Sequence, residues 1–142
     1  MKYFEFFEKY PSVRKSISNI EQVIQKLQEA ITLNETQLFN INLCVVEAFT
    51  NAIFHGNKID PHKFVELHIV AEENEIKICI TDQGSGFDEQ SIPNPLDVEN
   101  LLKESGRGVF FMRNFCNKLD YIYSQRGFSV LMHFNLNENT NE

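Results

Sequence analysis

What this sequence lacks first is basic charge. Thirteen Lys and Arg stand against twenty Asp and Glu, a formal net charge of −7. No basic stripe is available to replace counterions along a phosphate backbone, so direct nucleic-acid binding is not expected. Cysteine is also sparse. Cys44, Cys79 and Cys116 are odd in number, far apart and set among apolar residues, which reads as buried thiols in a reducing cytoplasm and not as a disulfide framework. CxxC and HExxH are both absent and the four His are scattered, so no structural metal site is expected. We read no apolar run of membrane-spanning length and no secretory leader, since Met1-Lys2-Tyr3-Phe4-Glu5 turns acidic at once. The expectation is a cytoplasmic chain without a membrane partner. Internal repeats and low-complexity segments are missing too. What remains is 142 residues with 42% apolar content and thirteen Phe, enough for one core.

The patterning then gives the elements. Tyr3 to Phe7 suits a short edge strand, with Pro11-Ser12 as its break. Val13, Ile17, Ile20, Val23 or Ile24, Leu27 and Ile31 recur at helical spacing, predicting an amphipathic helix over 13–31. A second helix is predicted over 36–55. Residues 64–70 and 76–81 alternate and flank Glu73-Asn74, a hairpin. Residues 88–104 are polar and hold Pro93 and Pro95, a connection long enough to be functional. A helix over 109–118 and a hairpin of 119–123 with 128–136 close the chain, and residues 137–142 are a polar tail. Helices and hairpins in this order predict an α+β two-layer sandwich: a mixed, mostly antiparallel sheet with helices on one face. Residues 1–136 form one domain on this reading.

Three stretches carry chemistry. On the 36–55 helix, Glu47, Asn51 and His55 fall at i, i+4 and i+8, on one face. Leu43, Val46, Phe49, Ala52 and Ile53 around them should pack inward, and Gly56 suits a left-handed helix end. A carboxylate, an amide and an imidazole in apolar surroundings are costly unless they line a site. Asp82-Gln83-Gly84-Ser85-Gly86-Phe87 follows the second strand of the first hairpin. Its glycines let backbone approach a planar ligand, while the carboxylate selects an amino-bearing edge such as adenine's. Ser105-Gly106-Arg107-Gly108 opens a helix, where unpaired N–H groups can meet phosphates. Asn51 can offer its side-chain oxygen to Mg²⁺, and Glu47, one turn earlier, can act as a general base. Taken singly, each stretch has a commonplace reading: a solvated helix face, a turn-forming Asp, a glycine-bearing cap. Their order and spacing change that.

Glu47-x-x-x-Asn51-Ala52-x-x-His55-Gly56, Asp82-x-Gly84-x-Gly86-Phe87 and Ser105-Gly106-Arg107-Gly108 resemble the three boxes of the ATP-binding fold shared by gyrase-type topoisomerases, heat-shock chaperone ATPases, sensor histidine kinases and mismatch-repair ATPases. In length, N-terminal elements and first-box wording, the chain is most similar to the small anti-sigma factor serine/threonine kinases of bacteria. The resemblance runs from about Tyr3 to Leu136. It implies Asn51 as Mg²⁺ ligand and Glu47 as the base that activates a hydroxyl. It implies Asp82 on the adenine amino group, with Gly84, Gly86 and Phe87 at that wall. Residues 88–105 would form a lid. Ser105, Gly106 and Gly108 would hold the ATP phosphates, and Arg107 would neutralise phosphate charge or contact a partner. His55 would sit near the nucleotide or simply pack at the helix end. The implied partners are a sigma factor and a small antagonist protein, and a homodimer is expected. The alternative function is a nucleotide-dependent binding module without phosphotransfer. A split histidine kinase or a gyrase-type ATPase fits less well, because neither a phosphoacceptor helix pair nor a transducer domain is found in these residues.

Overall fold

The computed structural model describes residues 3–84, 112–125 and 127–137. Five strands, β1 (Tyr3–Pro11), β2 (Phe64–Glu72), β3 (Glu75–Asp82), β4 (Lys118–Ser124) and β5 (Gly127–Asn135), form one sheet in the order β1-β2-β3-β5-β4. Every pairing is antiparallel, so the mixed component expected from sequence does not occur among the described residues. Among the described residues, α1 (Ile20–Ala30) and α2 (Glu35–Asn51) lie in the second layer. The architecture is α+β.

Alternation makes the sheet two-faced. On β2, Val65, Leu67, Ile69 and Ala71 are buried, and on β3 Ile76, Ile78, Ile80 and Asp82 follow the same parity. Phe128, Val130, Met132 and Phe134 extend that face across β5. α1 lays Ile20, Val23, Ile24 and Leu27 against it, and α2 lays Ile41, Cys44, Val45, Ala48 and Phe49. Leu43 and Val46, expected inward, are only half-buried on the flank of that stripe, and Cys44 and Val45 take the inward positions. Tyr10 meets Phe49 edge-to-face, with ring centroids 5.5 Å apart.

Several boundaries differ from the sequence reading for local reasons. β1 runs on to Pro11, paired with Phe64, because an edge strand tolerates a residue without an N–H. The 13–31 helix divides into a 3₁₀ segment (Arg14–Asn19) and α1. α2 starts on a capping box: Asn34 Oδ1 accepts from Gln37 N–H at 2.7 Å and Gln37 Oε1 accepts from Asn34 N–H at 2.9 Å. Of the 109–118 helix, residues 112–115 are helical and Lys118 already belongs to β4; the rest lies outside the described residues. Cys79, expected buried, is half-exposed on the face of the sheet away from α1 and α2.

One exclusion drawn from the sequence needs correcting. With the turn that extends it, α2 forms a helical run Glu35–Gly56 of 22 residues and mean hydropathy 1.2 over its most apolar window, long and apolar enough to cross a membrane by those two criteria. In the fold its apolar stripe packs on the sheet.

Candidate functional site

α2 does not end as an ordinary α-helix. After Asn51 the chain widens into a π-helical turn, Ala52–Gly56, in which Asn57 N–H donates to Ala52 O at 2.8 Å. Such turns carry one extra residue and are frequent at functional sites. The i, i+4 relation holds for Glu47 and Asn51 within α2. The slower rotation of the π-turn displaces His55 from that line, and it lies half-buried there. Gly56 is not left-handed, contrary to expectation. The positive φ values fall on Lys58 (56°) and Ile59 (55°) instead.

Gly56 is required for a different reason. A β-carbon there would overlap the Asp82 carboxylate, and one on Gly84 would overlap the Gly56 carbonyl. Gly127, at φ 142°, lies so close to the Asp82 carbonyl oxygen that it too has no room for a side chain. The chain has six glycines. Five fall in the three sequence motifs, and Gly127 completes the packing round Asp82 from the far strand. The end of β3 and the end of the α2 helical run thus meet backbone to backbone.

Asp82 itself is 4% exposed. Its Oδ1 accepts the Gly84 N–H at 2.9 Å, an Asx-type turn. Burial pushes its carboxyl up to about 6, against smaller downward pulls from the Gly84 N–H and the Lys63 charge. A carboxylate buried in this way is set to accept hydrogen bonds from a ligand. Burial also raises the Glu47 carboxyl above the ordinary carboxylate range, although Glu47 is only half-buried.

Asn51 is 8% exposed, and neither its Oδ1 nor its Nδ2 has a hydrogen-bond partner among the described residues. Such an amide costs stability unless something else completes it. Among the described residues, no group of three or more His, Cys, Asp or Glu could hold a metal ion. The Asn51 side-chain oxygen is a group that could meet a hard cation, whose other positions water and phosphate can fill. Gly86, Phe87, Ser105, Gly106, Arg107, Gly108 and the 88–105 connection lie outside the described residues.

Residues 10–134 match the histidine kinase-like ATPase domain. The chain belongs to that family. The resemblance read from the three motifs agrees with its relatives. It is 34% identical to an anti-sigma F factor of Bacillus cytotoxicus over 99 residues, 68% of this chain and 67% of that one. It is 35% identical to an anti-sigma F factor of Oceanobacillus iheyensis over 68% of each. Among solved structures, the histidine kinase domain of a blue-light-activated kinase from Erythrobacter litoralis superposes with a TM-score of 0.60 at 14% identity. That match covers 92% of this chain and 64% of that one. A mycobacterial sensor histidine kinase gives 0.56 at 16% identity, over 92% and 97%. An ATPase domain of this kind implies nucleotide binding.

Sequence reasoning missed one residue of this histidine kinase-like domain. Asn57, just past the π-turn, is 1% exposed and bonded to three separate segments. Its position directly after His55-Gly56 was the available signal.

Proposed function

We propose that the chain is a Mg²⁺- and ATP-dependent serine/threonine kinase that acts as an anti-sigma regulatory factor. Its substrate would be a small antagonist protein and its second partner a sigma factor, in the cytoplasm. The observation that carries the site is the Asn51 carboxamide, buried and without a partner among the described residues, one helical turn from Glu47. The anti-sigma F factors at about a third identity support the regulatory role.

On this reading Asp82 accepts a hydrogen bond from the adenine amino group, and Gly56 and Gly84 leave the backbone bare around it. Mg²⁺, when bound through Asn51, would offset charge on the phosphates. Glu47 takes the proton of a Ser or Thr hydroxyl as that oxygen bonds to the γ-phosphorus and the bond to the leaving ADP breaks. Its raised pKa suits the task, because a base closer to neutrality holds the proton better during transfer. His55, Gly86 and Phe87 would line the nucleotide, and residues 105–108 would meet its phosphates beneath a lid of residues 88–105. We take residues 1–136 as the kinase domain and 137–142 as its tail. A homodimer is also proposed, since a second copy would cover Tyr3, Phe7, Phe64 and Ile122, exposed on the face of the sheet away from α1 and α2.

The test is calorimetric titration of ATP, ADP and GTP with and without Mg²⁺. Tighter binding of the adenine nucleotides, dependent on Asp82 and, with Mg²⁺, on Asn51, is expected. Equal affinity for ATP and GTP would remove the assignment of Asp82.

A further inference from the structure

Every polar atom of Asn57 is engaged. Its N–H closes the π-turn on Ala52 O at 2.8 Å, and its carbonyl accepts from Asp60 N–H at 3.1 Å. Side-chain Nδ2 donates to Ser12 Oγ at 2.6 Å and to Phe64 O at 3.0 Å. Side-chain Oδ1 accepts from the Gln83 N–H at 2.7 Å. Two acceptors on one side and one donor on the other settle which way the amide points.

The Oδ1 bond has a particular target. Gln83 directly follows Asp82, and Gly56, the residue before Asn57, lies against the Asp82 carboxylate. Gly84 in turn lies against the Gly56 carbonyl. The pair Gly56-Asn57 is therefore fastened to Asp82-Gln83-Gly84 by one side-chain hydrogen bond and two contacts that tolerate no β-carbon. The Nδ2 bonds hold the amide itself, from the end of β1 and the start of β2. The ladders with β2 and β5 fix β3 as far as Asp82, and the Asn57 Oδ1 bond holds the backbone directly after it against the π-turn.

We propose that Asn57 is a positioning residue for base recognition: through the Gln83 N–H it fixes the Asp82 carboxylate where it can meet an adenine amino group, and so contributes to the choice of adenine over guanine nucleotides. The inference rests on the reading of Asp82 given above. A purely structural role for Asn57, as a knot between β1, β2 and the π-turn, makes a different forecast, and Ser12 separates the two. Ser12 is fully buried and touches only the Nδ2 end of the amide network.

The experiment compares wild type, Ser12→Ala, Asn57→Ala and Asp82→Asn by calorimetry with ADP and GDP, alongside urea unfolding. Both Ser12→Ala and Asn57→Ala should lower stability. Only Asn57→Ala should weaken ADP binding, by about five- to ten-fold, with GDP binding little changed, so that base preference narrows. Ser12→Ala should bind ADP within about two-fold of wild type. If Asn57→Ala does not fold, Asn57→Gln carries the same expectation, because it keeps the amide but displaces its oxygen by one methylene. Wild-type ADP affinity and selectivity in the Asn57 variant, with Asp82→Asn impaired, would overturn this inference alone. So would equal losses in Ser12→Ala and Asn57→Ala. A wild-type protein that binds neither nucleotide would overturn the reading on which it rests.

Discussion

Replacing Asp82 by Asn should make the empty protein more stable at neutral pH and a poorer nucleotide binder at once. The carboxyl is buried and its pKa is pushed from 3.8 to about 6. A group whose folded pKa is raised contributes its full stability below its unfolded value and loses it as pH rises toward the folded one. For Asp82 the loss runs from about pH 4 to about pH 6, with a plateau above. The gap, at about 1.4 kcal/mol per pH unit, sets an upper limit of about 3 kcal/mol on the cost of ionisation at pH 7. Asn keeps the oxygen that accepts the Gly84 N–H and carries no charge to desolvate. Urea unfolding of both proteins between pH 4.5 and 7.5 should show the stability difference growing in favour of the Asp82→Asn variant up to about pH 6 and then levelling. The same variant should lose the proposed charged hydrogen bond to adenine, worth roughly 1.5–3 kcal/mol, or about ten-fold or more in ATP affinity. Wild-type affinity should itself fall below about pH 6 as the carboxyl protonates. Parallel pH profiles for the two proteins, together with unchanged ATP binding, would refute the reasoning.

Two further substitutions probe the same corner. Asn51→Ala removes an amide with no partner among the described residues, so it should change apo stability by less than about 1 kcal/mol. The same variant should lose Mg-ATP affinity in calorimetry. Gly56→Ala drives a methyl group into the Asp82 carboxylate. It should cost about 1–3 kcal/mol in urea unfolding, the range for forced overpacking, and weaken ADP binding with it.

Much of this was legible in the sequence because strong local signals agreed with the fold. Alternation was legible over 64–70 and 76–81, and in the structure the same period of two continues to Asp82 on the buried face at the end of β3. The Glu47–Asn51 pair needed only helical spacing. What escaped the sequence depends on contacts between distant segments. A π-turn has no distinct composition, so residues 52–56 read as plain helix and His55 was set in line with Asn51. Gly56 was assigned a left-handed φ, the commonest use of a helix-end glycine, when its role is close approach to Asp82 on a distant strand. Asn57 resembles any loop asparagine until Ser12 and Gln83 are brought beside it. The 3₁₀ start of the first helix shares its apolar spacing with α1, and periodicity alone does not divide them.

The central claim is phosphoryl transfer from a site built on Glu47, and its direct test is single-turnover labelling of candidate antagonist proteins with γ-labelled ATP and Mg²⁺. The wild type should place label on a Ser or Thr of an antagonist. Glu47→Gln, nearly isosteric, should bind ATP as tightly and transfer about 10²–10⁴-fold more slowly. Equal transfer by both proteins would remove Glu47 from the mechanism, and ATP binding without transfer to any antagonist would contradict the kinase reading in favour of a nucleotide-dependent binding module.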